Sequence, residues 1–423
     1  MKKQLPNYAL IMGHMVECFD ATIYGFYAVI LAPYFFPPNA PQALLSFGAF
    51  SAGFLGRPLG ALFFGFLGDK FGRKTPLLAT MALVGFPTLI IGILPTYHQI
   101  GMCAPFILFT CRFAQGFFFG AEYAGVNVYT YETHNNQSTL GFKMATLVAA
   151  GSMGAVIATA LGAFFTMDSM PKQAWRIPFI LGGLAAFFVF FWRRSMDETS
   201  MFKETQKNKR LVKFPTAALW KYKREVLVSL FIFSLNTAPL YLVTVFGNHM
   251  FREFGYSSSQ SMLLNMSVLI FDSIMIVLYG RLSDYVGFEK QIIWGCLWLL
   301  IMAIPSFHLV TTYPSLITIY IFMLLISTGN TLVASCTNPY ISSLFPVNCR
   351  FSALALSFTL GGALISGNTP AVADYLTKVM HTKAAPALWL MFISLLSLLG
   401  IFWLRKARLI QKSFYPLDFA GAK

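Results

Sequence analysis

The sequence predicts an all-α integral membrane protein of twelve transmembrane helices arranged as two pseudo-symmetric six-helix bundles. Three observations carry this. Of the 423 residues, 57% are hydrophobic and 16% aromatic, with 44 Phe, only 11% charged residues and a mean hydropathy of +0.64. A water-soluble fold has too little polar cover to hide that much apolar surface. Apolar runs of about 20 residues recur along the whole chain, each long enough to cross a hydrocarbon core of roughly 30 Å. Finally, GFLGDKFG (65–72) returns as GRLSDYVG (280–287), matching at Gly, Leu, Asp and Gly with an offset of 215 residues.

Charged, Pro-rich and Asn-rich breaks separate the spans in order. The first, 8–35, stops at PPNAPQ (37–42), and the second, 44–68, stops at the charged knot DKFGRK (69–74). The third covers 75–97. The fourth, 102–131, ends at ETHNNQS (132–138), and the fifth, 143–166, ends at MDSMPKQ (167–173). The sixth, 175–192, leads into the longest polar stretch of the chain, 193–225. FREFGYSSS (251–259) separates spans 225–248 and 258–280, and RLSDYVGFEK (281–290) precedes span 291–310. Spans 314–338, 352–373 and 386–404 are parted by FPVNCR (345–350) and YLTKVMHTKAA (375–385). Lipid offers backbone groups no partners, so each span is read as a helix; a barrel would need ten-residue alternating strands, and these are missing from the sequence. The predicted domains are a bundle over 1–192, a central loop over 193–224 and a bundle with a tail over 225–423. Each copy of the repeat follows the second span of its half, the sequence mark of a transporter built from two related bundles.

The formal net charge is +15. Basic residues gather at the ends of apolar runs, which points to orientation in a membrane rather than to nucleic acid. With both termini inside, 24 of the 31 Lys and Arg fall on inside segments and five on outside ones. A multi-pass protein of the cell membrane (a bacterial inner membrane) with both termini cytoplasmic follows. MKKQLPNYALIMGH lacks a small-residue cleavage site, so the first span is expected to be retained. The six cysteines form no CxxC pair and read as small hydrophobes. The lipid bilayer and a small-molecule substrate are the expected partners, with no metal and no cofactor, and the chain is expected to work as a monomer.

Ionisable groups inside spans cost at least about 2.5–3.5 kcal/mol on insertion scales, so each asks for a reason. Glu17 and Asp20 share one helix face, with Tyr24 a turn further on. Asp20 lies about twelve residues into its span, roughly 18 Å at 1.5 Å per residue and so near the midplane. Arg57 sits at similar depth, Arg112 and Glu122 lie in the fourth span, and Asp272 lies in the eighth. One reading is a set of buried ion pairs that hold helices in register, although such pairs stabilise weakly. The other is a proton site at Glu17, Asp20 and Glu122 coupled to a substrate site. Burial favours the neutral form of an acid and a nearby guanidinium the charged form, so a substrate carboxylate that engages the arginine releases the acid to take a proton. Arg57 and Arg112 suit a carboxylate because a guanidinium grips it with two parallel bonds; a purely conformational role for Arg57 competes. Tyr24, Asn236 and Tyr241 supply polar groups that either line a cavity or bond between helices. There is no G-x-S-x-G elbow, H-E-x-x-H pair or phosphate loop to support an enzyme.

The chain is similar to the major facilitator superfamily, and within it to the metabolite:proton symporter branch of proline/betaine, α-ketoglutarate, citrate and shikimate transporters. The residues that carry the resemblance are ECFDATIYGFY (17–27), AGFLGRPLGALFFGFLGDKFGRKTPLLA (52–79), ILPTYHQIGMCAPFILFTCRFAQGFFFGAEY (93–123), WRIPFILGG (175–183) and RRSMDET (193–199). It departs from the branch at Cys18, at Ala121 and at Gly-Phe-Glu (287–289). The resemblance implies uptake of a small carboxylate-bearing metabolite with a proton by alternating access; an uncoupled carrier, an exporter or a transport-deficient sensor shares the same features. It also implies that Asp69, Gly72 and Arg73, with Asp284 in the second copy, form a cytoplasmic gate that latches the bundles in one state. A plain positive-inside anchor explains the lysines of this knot but not its acid, its glycines or its repeat.

Overall fold

The computed structural model describes residues 5–134, 136–167, 169–208 and 219–414, and every regular element among them is helical. The long helices are α1 (Leu5–Phe35), α2 (Gln42–Phe71), α3 (Lys74–Ile93), α4 (Cys103–Thr133), α5 (Leu140–Phe164) and α6 (Arg176–Arg193). In the second half they are α7 (Leu219–Glu253), α8 (Ser258–Val286), α9 (Phe288–Thr312), α10 (Leu316–Leu344), α11 (Arg350–Met380) and α12 (Pro386–Phe414). Ten are long and apolar enough to cross a bilayer. The other two, α1 and α2, have 31 and 30 residues, more than the roughly 20 a crossing requires. This is the all-α, twelve-helix membrane architecture that the apolar runs predict.

Three helices depart from simple rods. α4 is interrupted at Gly120–Ala121 between Cys103–Phe119 and Glu122–Thr133. α7 and α11 each carry a π turn, at Leu242–Phe246 and Gly362–Ser366, a local widening that often marks a functional position. The polar stretch after α6 is not all loop, since Ser200–Lys207 forms a short helix capped by Thr199. Arg193, counted among the loop's basic residues in the sequence, is instead the last residue of α6 and fully buried. Residues 209–218 of the expected central loop, Lys2, Lys3 and the tail beyond 414 lie outside the described residues.

Within the first half α1 packs on α5, α2 on α4 and α3 on α6; within the second α9 packs on α10 and α12, and α7 on α10, α11 and α12. Small residues let α2 and α4 touch backbone to backbone. A Cβ at Gly56 or Gly60 would run into the Phe113–Phe117 backbone, and one at Gly116 into that of Gly53. The two halves meet through α2 with α11, α5 with α8, and α4 with α10 and α11. Apart from the bond from Asn338 to the Tyr123 hydroxyl deeper between the halves, the side-chain hydrogen bonds and ion pairs described between the halves lie on the side of the Gly72–Arg73 turn, here called the seam side. Among the described residues none joins the opposite, far-side loops 36–41, 94–102 and 165–175 to 254–257, 313–315 and 381–385.

Candidate functional site

Two sites emerge, one at the seam and one at mid-depth. The seam is built on the repeated motif. Asp69 ends α2 with its carboxylate at the N-terminus of α11, accepting from the Phe351 amide at 3.1 Å and the Ser352 amide at 2.8 Å. Asp284 ends α8 in the same way, accepting from the Gly141 amide at 2.6 Å and the Phe142 amide at 3.0 Å at the start of α5. A helix start exposes unpaired N–H groups and a partial positive charge, so a carboxylate is its natural cap. Each half thus caps a helix of the other with the aspartate of its own motif copy.

Close approach makes these caps possible. A Cβ on Gly65 would press on the Cα of Ser352 and one on Gly68 on the Phe351 ring, while one on Gly141 would strike Ser283, Gly280 and Asp284. Gly72 turns the chain at φ +107°, a conformation other residues resist, and a Cβ there would strike the Glu198 carboxylate.

Arg73, fully buried, donates to Asp69 at 3.1 Å, to the Gly68 carbonyl at 2.6 Å and, across the seam, to the Val347 carbonyl at 2.5 Å. Its Nε and Nη2 also reach the two oxygens of Glu132 at 3.0 and 2.9 Å, a two-bond grip. Glu132 accepts further from Arg350 of the other half at 3.0 Å and from the Thr199 hydroxyl at 2.8 Å. Glu198 accepts from the Lys74 amide at 3.1 Å, at the start of α3. Of the four gate residues expected from the sequence, Asp69, Gly72 and Arg73 are brought together, while Asp284 makes its own equivalent cap on α5. Glu132, Arg350, Glu198 and Thr199 join them unannounced. Their signal was faint: Glu132 and Arg350 read as charges at span ends, and Glu198 and Thr199 only as part of RRSMDET.

At mid-depth Asp20 is 1% exposed. It accepts from the Thr88 hydroxyl at 2.8 Å and from the Gln115 amide at 3.0 and 2.9 Å. The other end of Gln115 accepts from Arg112 at 2.8 Å, so one amide side chain links the acid to the guanidinium. Arg112 also lies over the Tyr24 ring, 4.2 Å from its centre. Gln115 and Thr88 are uncharged, and nothing in the pattern of residues singles them out.

Beside this chain lies a small hollow lined by Phe54, Arg57, Arg112 and Gln115. A second extends from Phe54 and Arg57 to Thr237, Tyr241, Phe358 and Thr359 of the other half. Arg57 faces both hollows, half-buried, with its guanidinium 4.8 Å from the centre of the Phe54 ring. Among the described residues no carboxylate forms an ion pair with it.

The remaining expected residues fall elsewhere. Glu17 does not join Asp20; it pairs with His14 at 3.0 Å. The His14 ring packs against Tyr123 with centroids 5.3 Å apart. Tyr123 in turn accepts from Asn338 at 2.8 Å and stacks on Phe358 at 4.1 Å, with Asn236 facing the same hydroxyl. Tyr24 is buried under Arg112 between α1 and α2, donating to the Ser46 carbonyl at 3.4 Å. Glu122 is not near Asp20 either. The break in α4 sets it at the first turn of a new helix segment, where it meets Arg193 at 2.6 Å and the Thr80 hydroxyl at 2.5 Å. Arg193 also donates to the carbonyls of Leu77 and Ala9. That cluster ties α1, α3, α4 and α6 together inside the first half and faces neither hollow.

The sequence profile of the Major Facilitator Superfamily matches residues 10–370. A citrate-proton symporter of Klebsiella pneumoniae is 29% identical over 402 residues, covering 93% of this chain and 89% of the relative. A proline/betaine transporter of Escherichia coli K12 is 30% identical, covering 92% and 81%. Among solved structures, the proton:xylose symporter XylE bound to 6-bromo-6-deoxy-D-glucose superposes with a TM-score of 0.77 at 14% identity, covering 95% of each chain. The human organic anion transporter MFSD10 gives 0.67 at 17% identity, covering 94% and 98%.

Proposed function

The chain belongs to the Major Facilitator Superfamily and is a transporter rather than an enzyme, and from that premise we propose that it takes up a small carboxylate-bearing metabolite together with protons. The carrying observation is the Arg112–Gln115–Asp20 chain beside a hollow in which Arg57 has no carboxylate partner. A guanidinium with no carboxylate in ion-pair contact among the described residues is a site for an anionic group, held by two parallel bonds. A substrate carboxylate that also draws on Arg112 competes with Asp20 for the same positive charge, so substrate and proton load together. Glu17, paired with His14 and packed through it on Tyr123, is the second candidate for the proton route. Substrate contacts are assigned to Arg57, Arg112 and Tyr241. Tyr24 and Asn236 support them from behind. Glu122 is assigned to holding the first bundle together.

The seam supports an alternating-access cycle in which 1–192 and 225–423 rock as bodies. In this state Asp69, Gly72, Arg73 and Asp284 hold the seam shut, and both hollows lie between it and the far side. Lys and Arg bias makes the seam side cytoplasmic, in a cell membrane and with both termini inside, so the structure would represent the outward-facing half of the cycle. A proton is the coupling ion, no other cofactor is invoked, and the monomer is the working unit. Organic acids and proline- or betaine-type zwitterions both carry the required carboxylate, and the aromatic Phe54, Tyr241 and Phe358 also suit an ammonium face.

The test is uptake into proteoliposomes of radiolabelled citrate, proline and glycine betaine under an imposed proton gradient, with and without a protonophore. Accumulation that collapses with the protonophore supports symport. Uptake that only equilibrates, untouched by the protonophore, makes the protein an uncoupled carrier.

A further inference from the structure

We infer that Asp272 of α8 is a second proton-binding site, set in the C-terminal half and sealed by the seam. The inference deepens the symport reading, but its readout does not depend on transport. Asp272 is 2% exposed, and its Oδ1 has no hydrogen-bond partner among the described residues. Ser327 of α10 is the group in hydrogen-bonding reach. Every other buried carboxyl is met: Glu17 by His14, Asp20 by Thr88 and Gln115, Asp69 by Arg73 and two amides, Glu122 by Arg193, and Glu132 by Arg73 and Arg350. Among the described residues Asp272 has no such cation. The charged residues and histidines of the helices packed on α8 are Lys143 of α5, Lys221, Lys223, Arg224, Glu225, His249, Arg252 and Glu253 of α7, and Glu289, Lys290 and His308 of α9, all near helix ends, and α10 has none. None of them acts on Asp272.

An ionised carboxylate without a partner in a low-dielectric interior is strongly disfavoured; the group takes up a proton instead. A proton on Oδ1 also makes that oxygen a donor. Asn330 lies one turn from Ser327 on the same face of α10, is buried, and has its own Oδ1 without a donor. Each of these buried oxygens lacks a donor, and a proton on the Asp272 carboxyl supplies one to this part of the α8–α10 interface.

The position ties this proton to the gate. Ile276, one turn along α8, packs with Ala145 and Ala149 of α5 and Ala334 of α10, a dry layer between Asp272 and the seam. Asp284, whose carboxylate caps α5, lies twelve residues on, roughly 18 Å along the helix. Parting α5 from α8 admits water to that layer, which favours the carboxylate and lets the proton leave as hydronium toward the seam side. The proton is held while the seam is shut and released as it opens.

Infrared spectroscopy of the purified protein in lipid tests this directly. At neutral pH the wild type and Asp20→Asn should show the carbonyl stretch of a protonated carboxylic acid, and Asp272→Asn should lose it. Ser327→Ala should move the band without removing it, which assigns it even if Asp272→Asn does not fold. Replacing sodium chloride by choline chloride should leave the band unchanged. A band that persists unshifted in both variants, or is absent from the wild type, overturns the inference. A band that appears only after sodium is withdrawn shows a metal cation in the site, and overturns it as well. Loss of proton-coupled uptake with the band intact would instead count against the symport reading alone.

Discussion

Replacing Asp69 by Asn removes one charge from the seam while nearly keeping the side chain's shape. In the wild type both carboxylate oxygens cap α11, through the Phe351 and Ser352 amides at 3.1 and 2.8 Å. An asparagine has one acceptor oxygen, so one of these two cross-seam bonds is lost and the other becomes neutral. A hydrogen bond to a charged group contributes about 1.5–3 kcal/mol. Losing one moves the closed-to-open equilibrium toward open by roughly 10- to 150-fold at 1.36 kcal/mol per tenfold. Arg73 keeps its two-bond grip on Glu132, so the first half should stay folded and the change should fall on the seam. The assay is the distance distribution between spin labels at the seam-side ends of α2 and α11, read beside transport rate. Asp284→Asn makes an internal control. Its carboxylate is partly exposed and has no arginine ion pair among the described residues, so its shift should have the same direction and smaller size. An unchanged distance distribution in Asp69→Asn, or wild-type uptake rates, would rule out the latch.

Three further predictions follow from the same contacts. Glu132→Gln leaves Arg350 without its carboxylate partner in a buried site and leaves Arg73 with Asp69 alone, costing about 3–5 kcal/mol; seam-side cysteine labelling should rise more than in Asp69→Asn, and equal or lower labelling would show that Arg350 does not hold the halves together. Glu122→Gln leaves Arg193 unpaired and should lower thermal stability by a similar about 3–5 kcal/mol, with proton coupling intact in whatever folds; wild-type stability with lost coupling would return Glu122 to the proton route. Gln115→Leu cuts the link between Arg112 and Asp20, a change of about 1.5–3 kcal/mol for a bond to a charged group, and should lower gradient-driven accumulation at least about tenfold while leaving substrate binding within a few-fold; unchanged accumulation would show that the amide carries no coupling.

Much of the architecture was legible because lipid makes the code simple. Apolar runs had to be helices, and the breaks PPNAPQ, DKFGRK and FPVNCR placed their ends within a few residues of those observed. The repeat at 65–72 and 280–287 places Asp69 and Asp284 at matching positions, and each carboxylate meets the start of a helix of the other half. It could not say what each would touch, because the caps at Phe351 and Gly141 are made by segments 282 and 143 residues away in sequence. Charge placement was the weaker guide. A basic residue at a span end reads the same whether it anchors a loop, as expected for Arg193 and Arg350, or lies buried against an acid, as both do. Glu17 and Asp20 share a helix face, yet each turned to a different partner, His14 and Gln115. Helical spacing fixes a direction and not the neighbour found there. Gln115 and Thr88, being neutral, carried no cost in a span and so drew no question.

Asp20→Asn in proteoliposomes puts the account to its most direct test. The substitution removes the titratable group at the centre of the Gln115 and Thr88 bonds while nearly preserving its shape. With a substrate identified by the uptake screen, an imposed proton gradient should drive no uphill accumulation in the variant, whereas substrate binding and downhill exchange persist. If the variant still concentrates substrate under that gradient, the coupling proton does not travel through Asp20 and the proposed mechanism is wrong.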